Sequence, residues 1–241
     1  MTELSRNSPR IQLDPDTSAK DFRSVVHIYA KRGDYKALET LKTFGSTRKV
    51  KSEWKKETTM WKSAFDRSWG DGEGWEGPLF RTLVYPAGLR DDPYTYQYGM
   101  WMLPQNRQEK YLKTIKVLMT ASAFSARSML PAHYIKLAIT KGTPEIVSFM
   151  IKFHPTLAKR FAQYTMSAIR EGDHVMVHGD ETNPVNIKWN TTRRAILDAV
   201  IQGIPGFLAR QSARGRKQAQ EPLRTHAPFL WFQRALKRHR G

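Results

Sequence analysis

Residues 20–45, KDFRSVVHIYAKRGDYKALETLKTFG, decide the fold class of this chain. Phe22, Val25, Val26 and Tyr29 recur at the three- and four-residue spacing that places side chains on one helix face. Gly33 breaks that pattern. Asp34 follows it, a residue type whose carboxylate caps the free N–H groups of a new helix. A second apolar stripe comes next, Ala37, Leu38, Leu41 and Phe44, and Gly45 reads as its C-terminal stop. Each helix has one oily face to bury, so the pair must pack on further helices, and the expected class is mainly α.

Working outward, Ser52 reads as the cap of a third helix. Its stripe would be Trp54, Trp61, Phe65 and Trp69, with Lys55, Lys56, Lys62 and Arg67 turned elsewhere. The texture changes over 70–104, which hold six glycines and four prolines. Strand formers at 79–85 (LFRTLVY) and 94–102 (YTYQYGMWM) predict a small β excursion within 79–102. A long helix follows over about 106–128, with Leu112, Ile115, Leu118 and Met119 inward and Arg107, Lys110, Lys113 and Lys116 descending one side. Thr143 before Pro144 is an N-cap ahead of a proline at the first helical position. Two more helices are expected, from about Thr156 to Glu171 and from Thr191 to about Gly203, with a polar loop over 173–190 between them.

The ends differ from the middle. Residues 1–20 are polar, with Ile11 and Leu13 among few apolar points, and read as an arm. Residues 21–105 and 106–208 are the expected N- and C-terminal lobes. Residues 209–241 form a basic tail whose segment 229–236 is a short amphipathic helix. Ile11, Leu13, Phe229, Trp231 and Phe232 are apolar anchors in poor core material. They are the candidate contacts for self-assembly into a homo-oligomer.

Composition narrows the function. Hydrophobic residues make up 40%, and 7 Trp, 9 Tyr and 11 Phe supply ample core. Against 22 Asp and Glu stand 40 Lys and Arg, a net charge of +18. Self-repulsion of that size calls for a polyanionic partner, either a phosphate backbone or an anionic membrane. The charge is uneven: residues 51–100 carry 7 basic and 8 acidic side chains, 101–150 carry 7 and 2, and 201–241 carry 9 and 1. With no cysteine, disulfides, thiolate zinc sites and thiol nucleophiles are excluded. No apolar run approaches the ~20 residues of a membrane span. Met1 to Arg10 lack the apolar stretch of a secretion signal, so a soluble protein of a reducing compartment is expected.

Catalytic constellations are sparse. Asp173, His174, His178, Asp180 and Glu181 cluster, and His174 and His178 are four apart, as metal-bridging histidines on a helix are. Yet DHVMVHGDE alternates polar and apolar residues. On a strand those histidines would lie ~13 Å apart, so a solvated loop is expected rather than a metal site. Gly70, Gly72 and Gly74 sit in an acidic run that repels phosphate, and no Gly-x-Ser-x-Gly elbow exists. A non-enzymatic binder without cofactor or small-molecule substrate is expected. A metal-dependent nuclease using 173–181 is the catalytic alternative.

What remains is basic residues interleaved with aromatics. Lysine and arginine neutralise phosphates and release counterions, which gives affinity without sequence information. Rings stack on unpaired bases. Lys110, Lys113 and Lys116, with Arg127 beyond them, form one cluster; Arg193, Arg194, Arg210, Arg214, Arg216 and Lys217 form another. Tyr29, beside Lys31 and Arg32, can serve as a stacking ring or as core packing. The alternative polyanion is lipid, with the tail on an anionic surface and Phe229, Trp231 and Phe232 inserted, as in a basic viral matrix or membrane-surface scaffold protein.

Five colinear segments resemble the nucleoproteins of phenuiviruses, a family of segmented negative-strand RNA viruses (bunyaviruses). They are YAKRGDYKALETLKTFG at 29–45, EWKK at 53–56, Lys116-Val117 with the small residues up to Phe124, HPTLA at 154–158, and RAILDA at 194–199 with the Arg-Gly-Arg of 214–216. The matches cover about half the chain. The family's apolar arm helix has no likeness in residues 1–20, and 70–104 have no counterpart. The resemblance implies two helical lobes flanking a basic RNA groove, and an arm that links subunits into rings or filaments. It also implies a viral RNA polymerase that copies the coated genome, in the virion and the host cytoplasm. By position, Tyr29, Arg67, Lys116, Phe124, Arg210, Arg214 and Arg216 match family residues in or near that groove.

Overall fold

Ser18 starts the first helix. Its hydroxyl accepts from the Asp21 N–H at 3.1 Å and donates to the Asp21 carboxylate at 2.6 Å, so the cap is held from both sides. Helix α1 (Ala19–Arg32) ends at Gly33, whose φ of 70° is a left-handed turn that costs an L side chain ~1–2 kcal/mol. The Gly33 and Asp34 N–H groups close back on the Ala30 and Tyr29 carbonyls. The Asp34 carboxylate then accepts from the Ala37 N–H at 3.1 Å and opens α2 (Tyr35–Thr47). The helix pair of 20–45 is present as expected, but Gly45 is not its stop. The helix runs through Gly45 to Thr47 because the residue packs tightly: a Cβ there would meet the Phe22 ring at 2.6 Å and the Trp61 backbone nitrogen at 2.9 Å.

The computed structural model describes residues 14, 16–51, 57–65, 77–84, 99–119, 132–175 and 182–210. Where a third amphipathic helix was expected, the chain instead forms an antiparallel ribbon. Strand β1 (Lys49–Lys51) pairs with β2 (Glu57–Thr59), with Lys49 opposite Thr59 and Lys51 opposite Glu57. The β-branched Val50, Thr58 and Thr59 favour strand over helix and outweigh the aromatic periodicity here. Among the described residues of this stretch, only the single turn α3 (Met60–Ser63) is helical, capped by the Thr59 hydroxyl, which accepts from the Lys62 N–H at 3.2 Å. Trp61 is fully buried and meets Phe65 edge-on at 5.1 Å; Trp54 and Trp69 lie outside the described residues.

Of the β excursion expected within 79–102, the described residues form no strand, and 85–98 lie outside the described residues. Pro78–Val84 is a helix, α4, and Met100–Met102 is a 3-10 turn. Proline at the first helical position, followed by Leu79, Thr82 and Leu83 buried at helical spacing, decides for helix over the strand propensity of LFRTLVY. The remaining helices are α5 (Gln105–Leu118), α6 (Ala132–Lys141), α7 (Pro144–Phe153), α8 (Pro155–Val175) and α9 (Pro184–Gly203). Thr143 caps α7 as expected, accepting from the Ile146 N–H at 3.5 Å. Helix α8 continues through Gly172 to Val175, and α9 begins at Pro184. Residues 173–175 and 184–190 of the expected 173–190 loop are therefore helical. The cause is Asn183, which caps α9 by accepting from the Val185 N–H at 2.9 Å, with Pro184 at the first position. The fold is mainly α, and β1–β2 is the one sheet among the described residues.

The described residues fall into two compact units: those within Met1–Thr82 and Lys113–Ser125, and those within Leu83–Leu112 and Ala126–Gly241. The core of the first is Phe22, Val26, Tyr29, Ala30, Leu38, Leu41, Met60, Trp61 and Ala64, completed by Val117 and Leu118. Full burial of each large side chain stabilises by ~1.5–3 kcal/mol. In the second unit α8 packs on α6 and α7, and α9 packs on α7. Trp101 ties this unit together: its indole N–H donates to the Thr140 carbonyl at 3.1 Å, and its ring lies 5.5 Å from that of Trp189.

Candidate nucleic-acid interface

Helix α5 sorts its residues cleanly. Tyr111, Thr114, Ile115 and Leu118 are buried at helical spacing, while Lys110, Lys113 and Lys116 are exposed and Arg107 is half-buried. The three ammonium groups step down one side of the helix at three-residue intervals, a rise of about 9 Å from first to last. One acid, Glu109, shares the helix, in the favourable position one turn before Lys113. The Lys113 ammonium nevertheless sits over the Tyr35 ring, 5.1 Å from its centre. That contact places a half-buried aromatic, at the first position of α2, directly beside the basic row. Sequence reasoning passed over Tyr35, although its place next to the Asp34 cap already put it at a helix end.

Tyr29 behaves differently. It is 5% exposed and belongs to the core of the first unit, the packing role of the two that the sequence left open. It lies one turn from Val26 and Val25 on the face α1 turns inward, and that apolar stripe wins over the neighbouring cations.

The second basic cluster splits. Arg194 is exposed on α9. Arg193, one residue earlier, is 4% exposed, so the structure does not group it with the surface cations. Its Nη2 donates to Asn190 Oδ1 at 2.6 Å, and its guanidinium carbon is 5.9 Å from the centre of the Trp189 ring. Burial, with Arg194 adding repulsion, pushes the guanidinium down to about 10. Arg210 is exposed, and its Nη2 donates to the Pro205 carbonyl at 3.3 Å. Arg67, Phe124, Arg127, Arg214, Arg216 and Lys217 lie outside the described residues, as do Ile11, Leu13, Phe229, Trp231 and Phe232.

No group of three or more His, Asp or Glu side chains that could hold a metal occurs among the described residues. Residues 173–175 belong to α8; His178, Asp180 and Glu181 lie outside the described residues. Among the described residues, no helix is long and apolar enough to cross a membrane. No protein-family model, characterised protein or solved structure matches this chain.

Proposed function

We propose that this protein coats single-stranded RNA without sequence preference and assembles into a ribonucleoprotein. Its class would be the nucleocapsid protein of a phenuivirus-like segmented negative-strand RNA virus. The observation that carries the reading is the exposed row Lys110, Lys113 and Lys116 beside Tyr35, on a chain of net charge +18. Cations in a row contact successive phosphates whatever the bases are, and a ring beside them offers every base the same face. Exposed Arg194 and Arg210 add cations in the second unit.

The test is binding of a fluorescent oligouridylate and of an equal-length mixed-sequence RNA across a salt series. Affinities should agree within a few-fold between sequences. With about six phosphates contacted, binding should weaken on the order of 10²–10³-fold between 50 and 200 mM salt. A flat salt response, or a strong preference for one sequence, would sink the reading. Vesicles of phosphatidylserine binding more tightly than RNA would replace it with a membrane-surface scaffold.

A further inference from the structure

We propose that the outward face of the β1–β2 ribbon is a second phosphate-contacting surface for single-stranded RNA, and that Glu57 competes with the RNA for Lys49. This rests on the RNA-coating reading and adds to it a site outside both basic clusters.

The pairing register puts Lys49, Lys51, Glu57 and Thr59 on one face of the ribbon, because side chains alternate along a strand. Val50, on the other face, packs against the core of the first unit. Lys49 and Lys51 are therefore held outward by the burial of the residue between them. Lys62 is exposed one turn beyond the ribbon, and Arg48 precedes it with its guanidinium carbon 4.0 Å above the centre of the Phe44 ring. Glu57 is the one acid on the described part of this face.

Glu57 does not reach across to Lys51 directly opposite. It takes the diagonal and meets the Lys49 ammonium at 3.3 Å. Both side chains are open to water, 75% exposed for Lys49 and 68% for Glu57. A pair this exposed is held weakly, so a phosphate can take the lysine from it. A phosphate backbone offers Lys49 and Lys51 two anionic partners at once, whereas Glu57 supplies one. The carboxylate thus works as an internal competitor that lowers affinity without blocking it.

The experiment uses the full chain stripped of nucleic acid and a fluorescent oligouridylate at 100–200 mM salt. Lys49→Gln with Lys51→Gln should weaken binding about tenfold and flatten the log–log salt slope by about 1.4, since each single-strand contact contributes ~0.7. Glu57→Gln should tighten binding about three- to fourfold and leave the slope nearly unchanged, because Lys49 meets a phosphate in both proteins and only the competing carboxylate is lost. Glu145→Gln, the same charge change on α7 in the other unit, controls for net charge and should shift affinity by less than a third as much. Melting curves establish that each variant is folded. If wild type binds RNA but Glu57→Gln is no tighter than Glu145→Gln, the competitor role is overturned. If the double lysine variant also binds like wild type, the ribbon surface falls while RNA coating by α5 stands. If wild type binds no RNA, the underlying reading fails and this proposal with it.

Discussion

Arg193 and Arg194 are consecutive on α9 and should answer to opposite assays. Replacing Arg193 by methionine keeps most of its volume and removes a cation that is 4% exposed. Burial, with repulsion from Arg194, holds its guanidinium down at about 10, which corresponds to about 3 kcal/mol of penalty on the charged form that methionine relieves. Against that stand the lost hydrogen bond to Asn190 Oδ1, ~1.5–3 kcal/mol for a charged donor, and the contact with Trp189, ~0.5–2 kcal/mol. The terms nearly cancel, so Arg193→Met should shift unfolding by no more than ~1–2 kcal/mol and leave RNA affinity unchanged. Arg194→Met removes an exposed charge, so the urea midpoint should stay put while affinity near 150 mM salt drops about fourfold, the weight of one single-strand phosphate contact. Urea denaturation and fluorescence anisotropy on the same preparations separate the two. If Arg193→Met costs as much affinity as Arg194→Met at an unchanged midpoint, the buried placement of Arg193 is wrong.

Three further outcomes are expected. Gly45→Ala gains ~1 kcal/mol of helix propensity but drives a methyl into Phe22 and the Trp61 backbone, which costs ~1–3 kcal/mol or more. Urea titration should show a net loss, and a gain would mean the site is open. Burial pushes the Lys141 amine down to about 8, so its charge opposes folding below that value, and stability should rise as pH climbs from about 8 towards 10.5. Lys141→Met should be the more stable protein at pH 7, by on the order of 2–3 kcal/mol, with the gap closing by pH 10.5; a gap independent of pH would contradict this. Tyr35→Leu should weaken single-strand binding by ~1–3 kcal/mol without changing the salt slope, because stacking releases no counterions; a changed slope or unchanged affinity refutes it.

Two helices were legible where a cap and an apolar stripe agreed. Asp34 with Leu38 and Leu41, and Thr143-Pro144 with Ile146, Val147 and Met150, marked α2 and α7 to within a residue or two of their observed starts. The same agreement misled where strand formers flanked it. The Ser52 cap and the aromatic stripe of Trp54, Trp61 and Phe65 concealed the ribbon announced by Val50, Thr58 and Thr59. The cap at Asn183-Pro184 was passed over because the polar residues before it suggested a loop. At the interface, the exposed lysines of α5 followed directly from the helical period. The separation of Arg193 from Arg194 did not, because both are arginine and only their angle around α9 distinguishes core from surface. The Tyr35–Lys113 contact joins residues far apart in sequence, and no local pattern announces such a pair.

The first unit draws its core from two separated stretches of chain, with Val117 and Leu118 arriving long after Phe22, Leu41 and Trp61. During synthesis the early helices therefore leave the ribosome with part of their apolar surface uncovered, and they stay so until α5 follows. At roughly 5–20 residues per second that delay lasts several seconds, far longer than the microseconds in which helices themselves form. A nascent chain stalled between α3 and α5 should accordingly be a strong client for chaperones that hold exposed apolar surface. Extension past α5 should remove the share of that binding owed to the early helices, while Trp101 still waits for Thr140 and Trp189.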